Sequence, residues 1–347
     1  MKTILGVFRL NWLAITALMG VSWLISVRVY YWLKPSMPRW FRLSIRRWLV
    51  RRTRARFTNE WPILESAASK PADWSGWPEQ RKFAFVLTHD VESQRGLDRV
   101  RQLAELEMSL GFRSCFNFVP EGSYRVSADL REWLVASGFE VGVHDQRHDG
   151  KLYNSRKSFQ EGADRINHYL KEWDAVGFRS GFMFHNLEWI KDLNIEYDAS
   201  TFDTDPFEPQ SDGVKTIFPF WVGSPANGGY VELPYTLVQD STLFIMLRER
   251  SNEIWKRKLE WIGSREGMAL INVHPDYIAF DGKRPDEDEY ELRHYADFLT
   301  WVKEHHLRDC WHALPRKVAE YLREQATNAM TLMAAGIAAD MATCFML

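Results

Sequence analysis

The 347-residue chain is short of cysteine: Cys115, Cys310 and Cys344 are its three, with no CxxC spacing and no even-numbered framework. They read as reduced or buried thiols rather than a disulfide scaffold. No Gly-x-Gly-x-x-Gly or P-loop pattern follows any strand-like run, which argues against a nucleotide bound at a first turn. Acidic residues are missing from residues 1–56, which hold 12 Lys+Arg; the remainder carries 32 basic against 46 acidic residues. The N-terminal segment is therefore about +12 and the rest about −14. An acidic body lacks the clustered cations that neutralise phosphates, so nucleic acid is excluded as its partner.

Long apolar runs are also scarce. The best, Leu10–Val27, has 18 uncharged residues between Arg9 and Arg28, the lower limit for crossing a bilayer. Trp12, Trp23, Tyr30, Tyr31 and Trp32 suit an interface, and no small-x-small site follows to mark a cleaved signal. Lys34–Arg56 holds eight Arg interleaved with Trp40, Phe41, Leu43, Ile45, Trp48 and Leu49. That composition predicts a helix lying on an anionic membrane surface; the alternative is a solvated basic arm packed on the acidic body. If the apolar run spans, the Arg excess after it places the body in the cytoplasm.

What the chain does have is Phe83-Ala-Phe-Val-Leu-Thr-His-Asp-Val-Glu92. The run is too short and too rich in Phe and Val for a helix, and reads as a buried strand. It ends in His89, Asp90 and Glu92, although buried carboxylates are costly unless paired or bound to a cation. Carboxyl ends of parallel strands are where α/β sites are built.

Residues 57–82, with Pro62, Pro71, Pro78 and three Trp, read as an irregular lead-in. Beyond the first strand, Gly96–Leu110 predicts a helix closed by Gly111, and further strands are expected at Ser114–Val119, Phe139–Val143, 175–178, 195–197, 230–233 and Met268–Val273. Ser127 reads as an N-cap, and helices are expected around 159–173, 252–262, 289–305 and 316–323. Alternating elements of this length predict a distorted or incomplete (β/α)7 barrel over 83–325, after an N-terminal basic and apolar membrane-associating extension (1–56) and the lead-in (57–82). The tail 326–347, with Asp340 as its only charge, reads either as a packing helix or as a second membrane-associating element.

Strand ends then supply Asp90 and Glu92, His144 with His148, Arg179, and His274. The i, i+4 spacing of His144 and His148 predicts two imidazoles on one side of a helical turn. With a carboxylate they form a triad that leaves positions open on Zn²⁺ or a similar divalent ion.

These pieces resemble the NodB-homology polysaccharide deacetylases, carbohydrate esterase family four. Thr88-His89-Asp90-Val91-Glu92 matches the family's Thr-Phe-Asp-Asp motif in an Asp-x-Glu form, and His144 with His148 its His-x-x-x-His. Arg179-Ser-Gly-Phe182 matches its Arg motif, Tyr197-Asp198 to Asp203 its Asp-bearing strand, and Ile271-Asn-Val-His274 its Leu-x-His. The likeness spans roughly residues 80–280 in the family's order. Val91 stands where the common motif has its metal-binding Asp, and Gly181 replaces the usual Pro.

The resemblance implies a metal-dependent hydrolase that removes the N-acetyl group from a sugar in a polysaccharide or its precursor. The expected ion is Zn²⁺ on Glu92, His144 and His148, with Asp90 as general base, Arg179 holding it, and His274 as general acid. Phe182 (through its backbone N–H), His185, Asp198 and Asp203 are the expected substrate contacts, and Trp189, Phe220 and Trp221 could stack on a sugar. The expected setting is surface- or exopolysaccharide assembly at the cytoplasmic side of a bacterial inner membrane. Two other readings stand beside this: a same-fold amide hydrolase acting on a non-sugar substrate, and an inactive relative that binds glycan or a glycosyltransferase. Each residue also has a plainer role: Glu92 in an Arg pair, His274 as a bonded core histidine, Arg179 as a structural ion pair. His89 is assigned beside the site, whereas His168, His294, His305, His306 and His312 fall on predicted helices.

Overall fold

The structure, a computed structural model, describes residues 39–344 apart from 73, 226, 227, 281 and 283. The chain divides into two compact units at Arg51–Arg52; the sheet, its helices and the site belong to the second. Elements follow in the order α1 (Arg39–Arg56), β1 (Phe83–Val91), α2 (Gln94–Leu110), β2 (Cys115–Phe118), α3 (Ala128–Ala136), β3 (Glu140–His144) and α4 (Arg156–Trp173). Then come β4 (Gly177–Arg179), α5 (Leu187–Ile190), β5 (Tyr197–Asp198), β6 (Phe220–Gly223), β7 (Gly229–Glu232), α6 (Glu253–Ser264) and β8 (Met268–Val273). The chain ends with β9 (Ile278–Ala279), β10 (Tyr290–Glu291), α7 (Arg293–His305), β11 (Cys310–His312) and α8 (Pro315–Cys344).

The main sheet runs β11-β1-β2-β3-β4-β5-β7-β6, with β8 also on β1, and is parallel except for β6 against β7. Parallel strands buried on both faces need unbroken apolar runs, and all nine residues of β1 are buried. The sheet curls: the segment after β7 reaches β8 through the Thr236 and Leu237 N–H groups, both donating to the Leu270 carbonyl at 3.0 Å. This is a curled parallel sheet with helices outside.

Local signals explain the helices. Ser127 and Ser155 cap α3 and α4, accepting from Leu130 N at 3.2 Å and Ser158 N at 3.1 Å, each such cap contributing about 1 kcal/mol. Gly111 ends α2 in the left-handed region at φ +87°, where a glycine carries no Cβ penalty. Phe159, Ala163, Ile166 and Leu170 form the stripe that α4 buries against Val143 and Phe178.

The irregular lead-in contributes to the core: Trp77 belongs to it, with Trp74 packed against it, and Trp77 Nε1 donates to Glu266 O at 2.8 Å. Three expectations change. The helix expected at 316–323 runs on to Cys344 and absorbs most of the tail. Strands β6 and β11 were not expected; their three or four residues are too short to show a period, and pairing creates them. His312 consequently lies on β11, not on a helix, with Nδ1 against Phe85 O at 3.1 Å. Among the described residues no helix is long and apolar enough to cross a membrane; the run Leu10–Val27 lies outside the described residues.

Candidate active site

Strand register assembles the site at the carboxyl end of the sheet. Asp90 stands level with Asn117 of β2, Thr88 with Asn272 of β8, and His144 with Arg179 of β4. Side chains alternate along a strand, so Asp90 and Glu92 share one face while Val91 is fully buried on the other. That period explains the Asp-x-Glu spacing: residue 92, not 91, faces the same interior as Asp90. His89 points the opposite way, and its ring lies 2.7 Å from Glu107 Oε1 and 3.0 Å from Val273 O. It braces α2 and is no part of the site.

Asp90 is 2 % exposed. Its Oδ1 accepts from Asn117 Nδ2 at 3.0 Å and Arg179 Nη1 at 3.5 Å, and its Oδ2 from Asn272 Nδ2 at 2.7 Å. Burial by itself would raise the carboxyl pKa; Arg179, His144 and His274 outweigh it and hold Asp90 below the usual carboxylate range. Arg179 also donates Nε to Ala199 O at 2.8 Å and Nη1 to Thr88 Oγ1 at 3.0 Å. It is a strut between strands as well as a countercharge.

Glu92, His144 and His148 each present a ligand atom, all within 4.8 Å of one another. His144 Nδ1 is 3.1 Å from Arg179 O, so its proton sits there and the Nε2 lone pair faces inward. His148 Nε2 lies 3.2 Å from Glu92 Oε1. His144 Nε2 is buried without a hydrogen-bond partner, a costly arrangement that a cation would relieve. One carboxylate and two imidazoles suit Zn²⁺ and its neighbours, so the residues present fit a divalent ion.

The two histidines do not share a helical turn. His144 is the last residue of β3, and His148 follows in a bend where Asp145 and His148 take φ +56° and +53°. Backbone held in this region by non-glycine residues is strained. The bend is packed from above by Phe182, whose ring stacks on His148 at 4.4 Å. Gly181 is explained by the same packing: a Cβ there would overlap Asp145 Oδ2 and come within 2.9 Å of His148 Cδ2. A Pro at this position, which carries a Cβ, would meet the same atoms.

Opposite, His274 Nε2 lies 3.8 Å from Glu92 Oε1 and its Nδ1 2.7 Å from Asp240 Oδ1. Burial disfavours the imidazolium, but Asp240, with Glu92 and Asp90 beyond it, pushes the His274 pKa up to about 10.

The expected substrate contacts divide. Phe182 is at the site through its ring. His185 is half-buried in the neighbouring loop, with Nδ1 at 3.0 Å from Met183 O. Asp198 and Asp203 are corrected: both carboxylates are buried and engaged inside the protein. Asp198 accepts from Ser200 Oγ at 2.6 Å and sits level with Glu232 of β7, and burial raises its pKa. Asp203 pairs with Lys258 at 2.9 Å, yet burial pushes its pKa up to about 6. Trp189, Phe220 and Trp221 are partly buried and packed against the core clusters.

Sequence reasoning missed Asn117, Asp240, Asn272, Asp276 and Tyr277. Asn272 carried a signal, since it lies two residues before His274 in a strand and therefore shares its face. Asp240 carried none.

No family model matches the sequence, and no curated protein matches it. Among solved structures, a protein of Mycobacterium smegmatis described as a candidate polysaccharide deacetylase is similar with a TM-score of 0.56 and 18% identity, over 74% of this chain and 95% of that one. The Puue allantoinase is similar with a TM-score of 0.53 and 14% identity, over 75% of this chain and 97% of that one. The chain thus shares the polysaccharide-deacetylase fold, which an allantoinase also uses.

Proposed function

We propose that this chain is a hydrolase that removes the N-acetyl group of a sugar, in a polysaccharide or its precursor, with a divalent cation held by Glu92, His144 and His148. The observation that carries the reading is the convergence of Glu92, His144 and His148, whose ligand atoms lie within 4.8 Å of one another and include the buried, unpartnered Nε2 of His144. A cation there supplies Lewis acidity, lowering the pKa of water and polarising the acetamide carbonyl. Asp90, ionised and held by Asn117, Asn272 and Arg179, takes the proton from the attacking water. His274, kept protonated by Asp240, delivers a proton to the departing amine. Zn²⁺ is the ion that the donor set favours.

The test is acetate release from a panel of N-acetylglucosamine, N-acetylgalactosamine and lipid-linked sugars. Asp90→Asn and His274→Ala are each expected to cut turnover by at least about a hundredfold while keeping the metal. A second reading, an amide hydrolase on a small non-sugar substrate, draws on the likeness to an allantoinase fold. Hydrolysis of small amides without acetate release from any sugar would select it.

We also infer that α1 lies on an anionic membrane surface, with the body on the cytoplasmic side. Support comes from its eight Arg without an acidic residue, and from Trp48 and Leu49, exposed at 42% and 38%. Co-sedimentation of the full chain with phosphatidylglycerol vesicles, but not with phosphatidylcholine vesicles, is the expected result.

A further inference from the structure

Residue 92 lies one position beyond β1, where the strand ladder no longer holds it. The turn after β8 takes over. Asp276 Oδ2 accepts the Glu92 backbone N–H at 3.0 Å, and Asp276 Oδ1 accepts from the Ser93 hydroxyl. Tyr277 OH donates to Glu92 Oε2 at 2.9 Å. The other oxygen, Oε1, is therefore the one that faces His148 Nε2 at 3.2 Å and His274 Nε2 at 3.8 Å. Helix α2 is shaped around this grip: a Cβ at Gly96 would overlap the Asp276 carboxylate.

A glutamate is one methylene longer than an aspartate and has one more side-chain torsion to fix. Left to itself, its carboxylate could turn either oxygen, or both, towards a cation. Contacts behind a ligand set its orientation, and losing one typically weakens metal binding ten- to hundredfold. Here the contact comes from the same four-residue stretch, His274–Tyr277, that carries the histidine on the opposite side of the site.

We propose that Tyr277 is the positioning residue that makes a glutamate serviceable at position 92. Its hydroxyl occupies Oε2 and leaves Glu92 a single oxygen to share with His144 and His148. The inference rests on the reading of these three residues as cation ligands.

The test uses the full-length chain, stripped with a chelator and titrated with Co²⁺ against a chromophoric competitor while the visible spectrum of the bound ion is recorded. Tyr277→Phe is expected to weaken Co²⁺ binding about ten- to hundredfold and to change the visible band, with the thermal midpoint of the metal-free protein unmoved. In a Glu92→Asp background, whose shorter side chain does not reach the phenol, Tyr277→Phe is expected to add no further loss. If Tyr277→Phe binds one equivalent with unchanged affinity and spectrum, the role of Tyr277 is overturned and the metal centre stands. An equal loss in both backgrounds likewise overturns it, since general loosening would act whichever residue is at 92. If the unsubstituted protein fails to take up one equivalent of Co²⁺, the ligand reading is overturned and the proposal goes with it.

Discussion

Asp240 holds His274 at two points: its Oδ2 accepts the His274 backbone N–H at 2.8 Å, and its Oδ1 lies 2.7 Å from the ring Nδ1. Tyr290 OH donates to the same Oδ2 at 3.0 Å, so the carboxylate is itself fixed. The Nδ1 proton is thereby tied down, and Nε2 is the nitrogen turned towards the site.

This pairing gives a pH prediction. Against burial, Asp240 pushes the His274 pKa up to about 10. A histidine with a raised pKa keeps its proton through neutrality and loses it as pH rises through that value. As proton donor it sets the alkaline limb of the rate profile. Asp240→Asn removes the charge, so the limb should move to lower pH by at least about one unit. The kcat–pH profile checks this.

Metal removal should silence the protein reversibly. Chelation is expected to abolish acetate release and Zn²⁺ to restore it, whereas His148→Ala should bind less than one equivalent and stay unrestored. Metal content by elemental analysis, read beside the rate, is the check.

Gly181 should be intolerant for a local reason. Ala or Pro there adds a Cβ within 2.9 Å of His148 Cδ2 and against Asp145 Oδ2. We expect metal affinity to fall at least about tenfold, with a stability loss of about 1–3 kcal/mol from overpacking. Competitive metal titration and urea unfolding separate the two effects.

Glu107 should matter for stability and not for the chemistry. It is fully buried among His89, Ser114 and Tyr295. Glu107→Ala leaves His89, Ser114 and Tyr295 without their shared partner, a loss expected to cost at least about 1–3 kcal/mol. Urea unfolding should show it, while KM stays unchanged.

Much was legible where the signal is local. β1 and β8 are continuous apolar runs that end in polar residues, so both the strands and the polar groups at their ends could be read. The α4 stripe and the Ser127 cap were equally plain. Reading failed where contacts over long sequence separations decide. Asp198 and Asp203 look like site residues in a line of sequence, but Ser200, Glu232 and Lys258 reach them first. His144 and His148 show helical spacing, yet β3 carries the first and a strained bend the second.

The sequence by itself determined which faces point inward, because alternation along a strand puts Asp90 and Glu92 on one side and His89 on the other. Only the tertiary structure decided what surrounds each of them. The setting of a charged side chain follows from the groups packed around it, and those groups lie far away in the chain: Asn117 and Asn272 for Asp90, Tyr277 for Glu92, Asp240 for His274. Burial and charge act through space, and no local pattern encodes that proximity.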